Sequence, residues 1–205
     1  MQLKTASILA LFMGFLATSC GSKSDDPAAT SGEPLLATLA PQAGADAAAK
    51  FLSTEGAEIG NAVLTDGPNG VLMRVDLEGM TPGWHAIHMH QTGDCSDFKN
   101  GFKASKGHIN PDRNEHGLLN PAGYERADIP NVYAGQDGRA TAAFFNSYVR
   151  LTASEEAYAT VGGGAILMDQ DGFAIIVHAS PDDHMTQPIG GAGPRVACAA
   201  FTSDD

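Results

Sequence analysis

The sequence predicts an all-β domain, an antiparallel barrel or sandwich of about eight short strands carrying two long loops. Three observations predict it. The chain of 205 residues contains 24 glycines and 11 prolines spread along its length, which suits many turns better than a helical bundle. Short apolar runs of strand length recur with turn signals between them. Residues 71–77 alternate Val71, Met73, Val75 and Leu77 against Leu72, Arg74 and Asp76, the period of a half-buried strand.

In order, the first strand is expected at residues 47–53, ahead of Thr54-Glu55-Gly56, and the second at 60–64. The run Thr65-Asp66-Gly67-Pro68-Asn69-Gly70 reads as a turn into the alternating strand. Met80-Thr81-Pro82-Gly83 turns into a histidine-bearing strand, residues 83–90. Residues 91–130 show no strand and many Gly, Asn, Asp and Pro. A loop of that length in a compact domain points to function, with a metal and a disulfide as substitutes for regular structure. Strands resume at 131–134, turn at Asp137-Gly138, and continue at 139–146, 165–168, 173–178 and 195–201. Residues 180–194 form a second long polar loop.

Upstream of this domain, residues 1–19 read as a signal peptide. Lys4 is the early charge, and the apolar run 6–17 is shorter than the ~20 residues needed to span a bilayer. The run ends in Leu-Ala-Thr-Ser-Cys, which resembles a bacterial lipoprotein cleavage box with Cys20 as the lipidated residue; an ordinary signal peptide with an incidental cysteine is the alternative. Residues 20–45, rich in Gly, Ser, Asp, Pro and Ala, read as a flexible tether, and 46–205 as the folded domain. Export to the periplasm or cell envelope follows, with a membrane anchor through Cys20. Gly21 does not resemble an inner-membrane retention signal, which favours the outer membrane. Of the three cysteines, lipidation of Cys20 leaves Cys95 and Cys198 to pair in an oxidising compartment or to stay as buried thiols. The formal charge of −12 argues against nucleic acid as a partner, and means an anionic substrate must be drawn by a local field.

The histidines carry the chemistry. His88 and His90 are spaced i, i+2, so on a strand they share one face and form a chelating pair. Imidazole suits copper, zinc, iron and nickel, and nitrogen-rich tetragonal sites favour copper. His85 falls on the opposite face and reads as a packed histidine bonded to backbone. His108 and His116 lie in the long loop with Asp128 downstream, two imidazoles and a carboxylate without sulfur, a zinc-type set. His178 ends the run Ile-Ile-Val-His. Together they outline two neighbouring metal sites sharing one imidazole, an arrangement for one-electron chemistry on a small anion. Lys103 and Lys106 read as solvated loop residues, with assistance in attracting the anion as the alternative, and His184 reads as a surface residue of the second loop without an assigned role.

These motifs resemble the copper/zinc superoxide dismutases over residues 47–201: Gly-x-His-x-x-His-x-His at 83–90, Gly-Asp-Cys at 93–95, Gly-His-x-Asn-Pro at 107–111, Val-His-x-x-x-Asp-Asp at 177–183, and Gly-x-Arg-Val-Ala-Cys at 193–198. The resemblance implies an eight-stranded Greek-key β-barrel, an immunoglobulin-like sandwich. It implies copper held by His88, His90, His108 and His178, with His108 bridging to zinc and moving a proton in catalysis. It implies His116 and Asp128 as zinc ligands and Asp182 as an aspartate linking a copper histidine to a zinc histidine. It also implies Arg195 as the cation that guides superoxide and a Cys95–Cys198 disulfide. The implied reaction disproportionates superoxide to dioxygen and hydrogen peroxide. A non-catalytic copper-binding or copper-delivering module on the same fold is the alternative; four copper histidines plus Arg195 favour the enzyme. Family members form dimers through different surfaces or stay monomeric, so a homodimer is compatible with the sequence and not specified by it.

One position departs from the family pattern. Its third zinc histidine stands three residues before the aspartate, where this chain has Glu125. Glu125 binds zinc itself, or the zinc keeps three protein ligands plus water or a neighbour such as Tyr124 or Glu115, or the site is weak.

Overall fold

In the computed structural model of the chain, residues 46–153 and 163–202 are described. The expectations for a signal peptide, for lipidated Cys20 and for the tether concern residues outside these. The described residues form eleven short strands: β1 (Ala47–Ser53), β2 (Glu58–Gly67), β3 (Gly70–Leu77), β4 (Gly83–His85), β5 (Ile87–His90), β6 (Val132–Ala134), β7 (Ala140–Asn146), β8 (Val149–Arg150), β9 (Ala165–Ile166), β10 (Phe173–His178) and β11 (Arg195–Phe201).

Seven strands pair in the antiparallel order β5-β10-β11-β1-β2-β3-β7. The histidine strand breaks at Ala86, and its first half, β4, pairs with β6. Counting β4 and β5 as one strand and setting the separate β8–β9 pair aside gives eight, as expected, with β6 and β7 at the two ends lying side by side to close the curl. The neighbours β3–β7, β5–β10 and β1–β11 are far apart in sequence, the crossovers of a Greek key. The seven paired strands are antiparallel as expected; outside them β8, which the sequence did not reveal, pairs in parallel with β9. The expected turn at 65–70 is shorter, because β2 runs on through Gly67 and only Pro68 and Asn69 lie between the paired ends.

The core fills the barrel with Phe51, Leu64, Val71, Met73, Val75, Leu77, Ile87, Met89, Phe173, Ile175, Val177 and Phe201. Alternation puts Leu72 and Arg74 outward as expected, but Asp76 is fully buried. It accepts a hydrogen bond from Thr141 Oγ1 (2.9 Å) and lies 3.8 Å from Arg139 Nη2. These cross-strand partners on and beside β7 lie far away in sequence and make its burial tolerable.

β10 is buried at every residue, which explains its unbroken apolar sequence. Phe173, Ile175 and Val177 face the barrel core, while Ala174 and Ile176 face a second cluster with Phe102, Cys95 and Cys198. The long loop thus covers the outer face of β10. The Cys95–Cys198 disulfide fixes it there, with Cα atoms 5.8 Å apart. Between β5 and β6 there is no strand, only two short 3₁₀ turns at Phe98–Asn100 and Lys103–Ser105. The loop instead pairs with the free edge of β5: Gln91 N–H donates to Gly107 O, Ile109 N–H to Met89 O, and Met89 N–H to Ala127 O. Those bonds bring the loop histidines over the strand histidines.

Candidate metal centre

His88 and His90 project from β5 on the face opposite Ile87 and Met89, under the long loop. Pairing of β5 with β10 sets Ile176 beside His88 and Ala174 beside His90, and carries His178 in from the end of β10. The rings of His88 and His178 have centroids 5.1 Å apart. His108 arrives from the loop, bridged to His90 through the backbone, with its ring 4.3 Å from His88 and 5.1 Å from His90.

Each of these four imidazoles spends one nitrogen on the protein. His88 Nε2–H donates to Asp182 Oδ2 (2.9 Å), His90 Nδ1–H to Lys106 O (2.9 Å), His178 Nδ1–H to Gly193 O (3.0 Å) and His108 Nδ1–H to Glu125 Oε2 (2.5 Å). The other nitrogen of each, His88 Nδ1 and Nε2 of His90, His108 and His178, is buried without a protein partner. A buried donor or acceptor left open is costly, and four on neighbouring rings suit a copper ion held by nitrogen. Potential ligand atoms of His88, His108 and His178 lie within 4.8 Å of one another. His90 falls outside that tight group, with its ring 6.2 Å from that of His178. Burial pushes His178 down to about 3 and His88 to about 4, and pushes His90 well below its ordinary value. The neutral, ligating form of His88, His90 and His178 is therefore favoured.

The second cluster is His108, His116, Glu125 and Asp128. His116 Nδ1 lies 2.8 Å from Asp128 Oδ1 and 3.3 Å from Glu125 Oε2. His116 Nε2–H donates to Asp182 Oδ1 (3.1 Å), so Asp182 joins His88 to His116 as the family pattern implies. Burial opposes charge on His116, but its bonds to Asp128, Asp182 and Glu125 outweigh burial and push it up to about 11. Burial would raise Glu125, yet its bonds with His108 and His116 hold it at about 2. Burial would likewise raise Asp182, and bonds from His116, His88 and the His184 N–H hold it well below the usual carboxylate range. The carboxylates gathered around His116 suit a cation, and two imidazoles with two carboxylates fit zinc.

Glu125 therefore stands within the donor group. The alternatives from its neighbourhood do not: Tyr124 packs edge-on against Tyr148 (4.8 Å between centroids), and Glu115 accepts a bond from Asn120. Three supporting residues escaped the sequence reading. Asn110, inside the quoted Gly-His-x-Asn-Pro motif, donates to Glu125 Oε1 (2.8 Å). Asn131 accepts the Asp182 N–H (2.8 Å), and Gln187 accepts the His116 N–H (2.9 Å). The reading of His184 as a solvated residue is corrected: its side chain is 16% exposed, its Nδ1 lies 3.3 Å from Asp182 Oδ2, and its Nε2 accepts from Asn131. Its carbonyl sits where a Cβ on Gly117 would go and accepts the Leu119 N–H (3.1 Å), so a side chain at residue 117 would force the two long loops apart. His85 is packed as expected, with both ring nitrogens on backbone carbonyls, those of His178 and Thr81, each at 2.7 Å.

Arg195 opens β11 beside this face. Its Nη1 donates to Phe102 O (2.6 Å) and Nη2 to Lys106 O (2.7 Å), so the guanidinium is held in one place. Burial lowers it from its ordinary value, but a guanidinium stays charged. A cleft of about 580 Å³ opens here, lined by His90, His108, His178, Lys103, Glu125 and Arg195 among others. Lys103, read from sequence as a solvated loop residue, borders it. Lys106 pairs with Asp171 (3.2 Å) away from it.

Residues 58–201 match the copper/zinc superoxide dismutase (SODC) family. A protein from Caulobacter vibrioides named superoxide dismutase [Cu-Zn] is 45% identical over 72% of this chain and 80% of its own length. Superoxide dismutase [Cu-Zn] 2 of Aquifex aeolicus is 36% identical over 75% of this chain and 84% of its own length. Among solved structures, a double mutant of a SOD-like protein from Bacillus subtilis superposes with a TM-score of 0.66 at 27% identity, covering 76% of this chain and 97% of that one. Barrel, disulfide and histidine clusters agree with these likenesses, and the chain belongs to the copper/zinc superoxide dismutase family.

Proposed function

We propose that this chain is a superoxide dismutase that converts superoxide to dioxygen and hydrogen peroxide, with copper held by His88, His90, His108 and His178 and zinc by His108, His116, Asp128 and Glu125. The observation that carries the ligand reading is the set of four buried ring nitrogens left open, each on an imidazole anchored through its other nitrogen. Copper, when bound, supplies the one-electron couple that oxidises one superoxide and reduces the next. Arg195 draws the anion into the cleft and orients it beside His90 and His178. His108, which lines the cleft, would carry on Nε2 one of the two protons that the reduced oxygen needs, with solvent supplying the other, while its Nδ1 would face the zinc side. Asp182 fixes His88 and His116 in the tautomers that leave their ligating nitrogens free.

The protein refolded with copper and zinc is expected to consume superoxide catalytically. Stoichiometric copper binding without turnover would replace this reading with that of a copper-binding module. Arg195→Ala is expected to lower the rate about tenfold at low ionic strength and to flatten its salt dependence, since a focused local charge raises encounter rates about 10- to 1,000-fold. An unchanged salt profile would remove Arg195 from substrate guidance.

The reading includes export. Residues 1–19 are the signal peptide, residues 20–45 the lipidated, tethering segment and 46–205 the catalytic domain, anchored through Cys20 to the outer membrane. The Cys95–Cys198 bond supports an oxidising compartment. Labelled palmitate incorporated into the wild-type protein and absent from Cys20→Ala protein is the expected result.

A further inference from the structure

We infer that Glu125 sorts the two metals, keeping copper out of the zinc position by making that position half oxygen. The inference rests on the assignment of Glu125 to the zinc site.

The two sites are adjacent and share His108, so an ion reaching one can settle in the other. The first offers four imidazoles. With an imidazole at residue 125, the second would offer three imidazoles and one carboxylate, almost as rich in nitrogen. Copper outcompetes zinc at most N and O sites, so selectivity has to come from ligand type and geometry. Exchanging one imidazole for a carboxylate withdraws more from copper, which gains most from nitrogen. The added negative charge attracts either dication alike.

The structure prepares Glu125 for this role in the same way as Asp128. Asn110 Nδ2–H binds Glu125 Oε1 (2.8 Å), and Asn110 is itself fixed by Asn114, whose N–H donates to its Oδ1 (3.0 Å). The backbone N–H groups of Gly117 (2.8 Å) and Glu125 (2.9 Å) bind Asp128 Oδ2. Each carboxylate is therefore left with one oxygen toward the imidazoles: Asp128 Oδ1 lies 2.8 Å from His116 Nδ1, and Glu125 Oε2 lies 3.3 Å from His116 Nδ1 and 2.5 Å from His108 Nδ1, whose proton a bound zinc would displace. With His116 and the shared His108 that makes four single-atom donors, the number a closed zinc site uses. Tying down the second oxygen of Glu125 disfavours chelation through both, which would open the site to larger, less selective coordination.

The test uses metal-free wild-type and Glu125→His protein, each given one equivalent of zinc and then an excess of cupric ion. Bound metals are counted by mass spectrometry after desalting, and cupric spins by electron paramagnetic resonance. The wild type is expected to keep one copper and one zinc, with the signal of an isolated copper. In Glu125→His, copper is expected to displace zinc about tenfold more readily, and the signal to weaken as two cupric ions couple across His108. Equal exchange in the two proteins would overturn the inference. Failure of the wild type to bind zinc at all, even without copper, would instead overturn the ligand assignment. Should the histidine variant fail to fold, Glu125→Gln serves: loss of zinc with the first copper retained is expected, and zinc retention equal to wild type would overturn the inference.

Discussion

Replacing His90 by alanine is expected to reduce superoxide consumption at least about 100-fold. Loss of groups that merely orient a ligand already costs about 10- to 100-fold in affinity or activity, and removing the ligand itself costs more. His90 is the informative histidine because it stands apart from the tight trio of His88, His108 and His178. If those three sufficed, the variant would keep much of its activity. The residue is 1% exposed, and its Nδ1 bonds Lys106 O (2.9 Å) with Ser105 Oγ 3.4 Å away. Arg195 Nη2 binds the same carbonyl, so the guanidinium keeps its place when the imidazole is gone. Loss of rate in the variant then reports copper geometry and not loss of anion guidance. The check is turnover per bound copper, alongside a circular dichroism spectrum matching wild type. Retention of more than about a tenth of the activity per copper would remove His90 from the ligand set.

The parts of this centre legible in sequence are those set by local period. The two-residue repeat of a strand is enough to place His88 and His90 together and to put His85 on the other side, where it bonds backbone. The glycine- and proline-rich stretch between β5 and β6 is legible as a loop because it lacks any period. What it does is not, because its hydrogen bonds go to the edge of β5, far away in the chain. The register that sets Ile176 beside His88, and so carries in His178, is equally nonlocal and is not legible in the sequence. Asp76 shows the opposite failure. Alternation reads it as solvent-facing, and only Thr141 and Arg139 across the sheet explain its burial. The setting of His184 is hidden in part for the same reason: Asp182 is only two residues away, but Asn131 reaches it from across the long loop. Glu125 was visible as a departure, but its competence as a ligand depends on Asn110, fifteen residues before it.

Removing the disulfide with the double variant Cys95→Ser/Cys198→Ser is expected to lower the stability of the metal-free protein by up to about 4–5 kcal/mol, the chain-entropy value for a closed loop of this size. The bond spans 103 residues, so in the unfolded chain it removes the entropy of a very large loop. In the folded state it lies in a buried cluster with Phe102, Ala174 and Ile176, on the outer face of β10. Cys198 is fully buried and Cys95 nearly so, and the substitution leaves two hydroxyls there, a further small cost. The consequence reaches the metal centre. Phe102 O and Lys106 O, which hold Arg195, and the Lys106 O that holds His90 belong to the loop the bond pins down. Loosening that loop should therefore lower copper retention as well as stability, while the barrel core around Phe51, Leu64 and Val75 is untouched. Denaturant unfolding of metal-free protein separates the bond from stabilisation by bound ions. A change below about 1 kcal/mol would show that the loop is held by the Phe102 cluster and the β5 edge alone, and that the disulfide stabilises far less than its loop length implies.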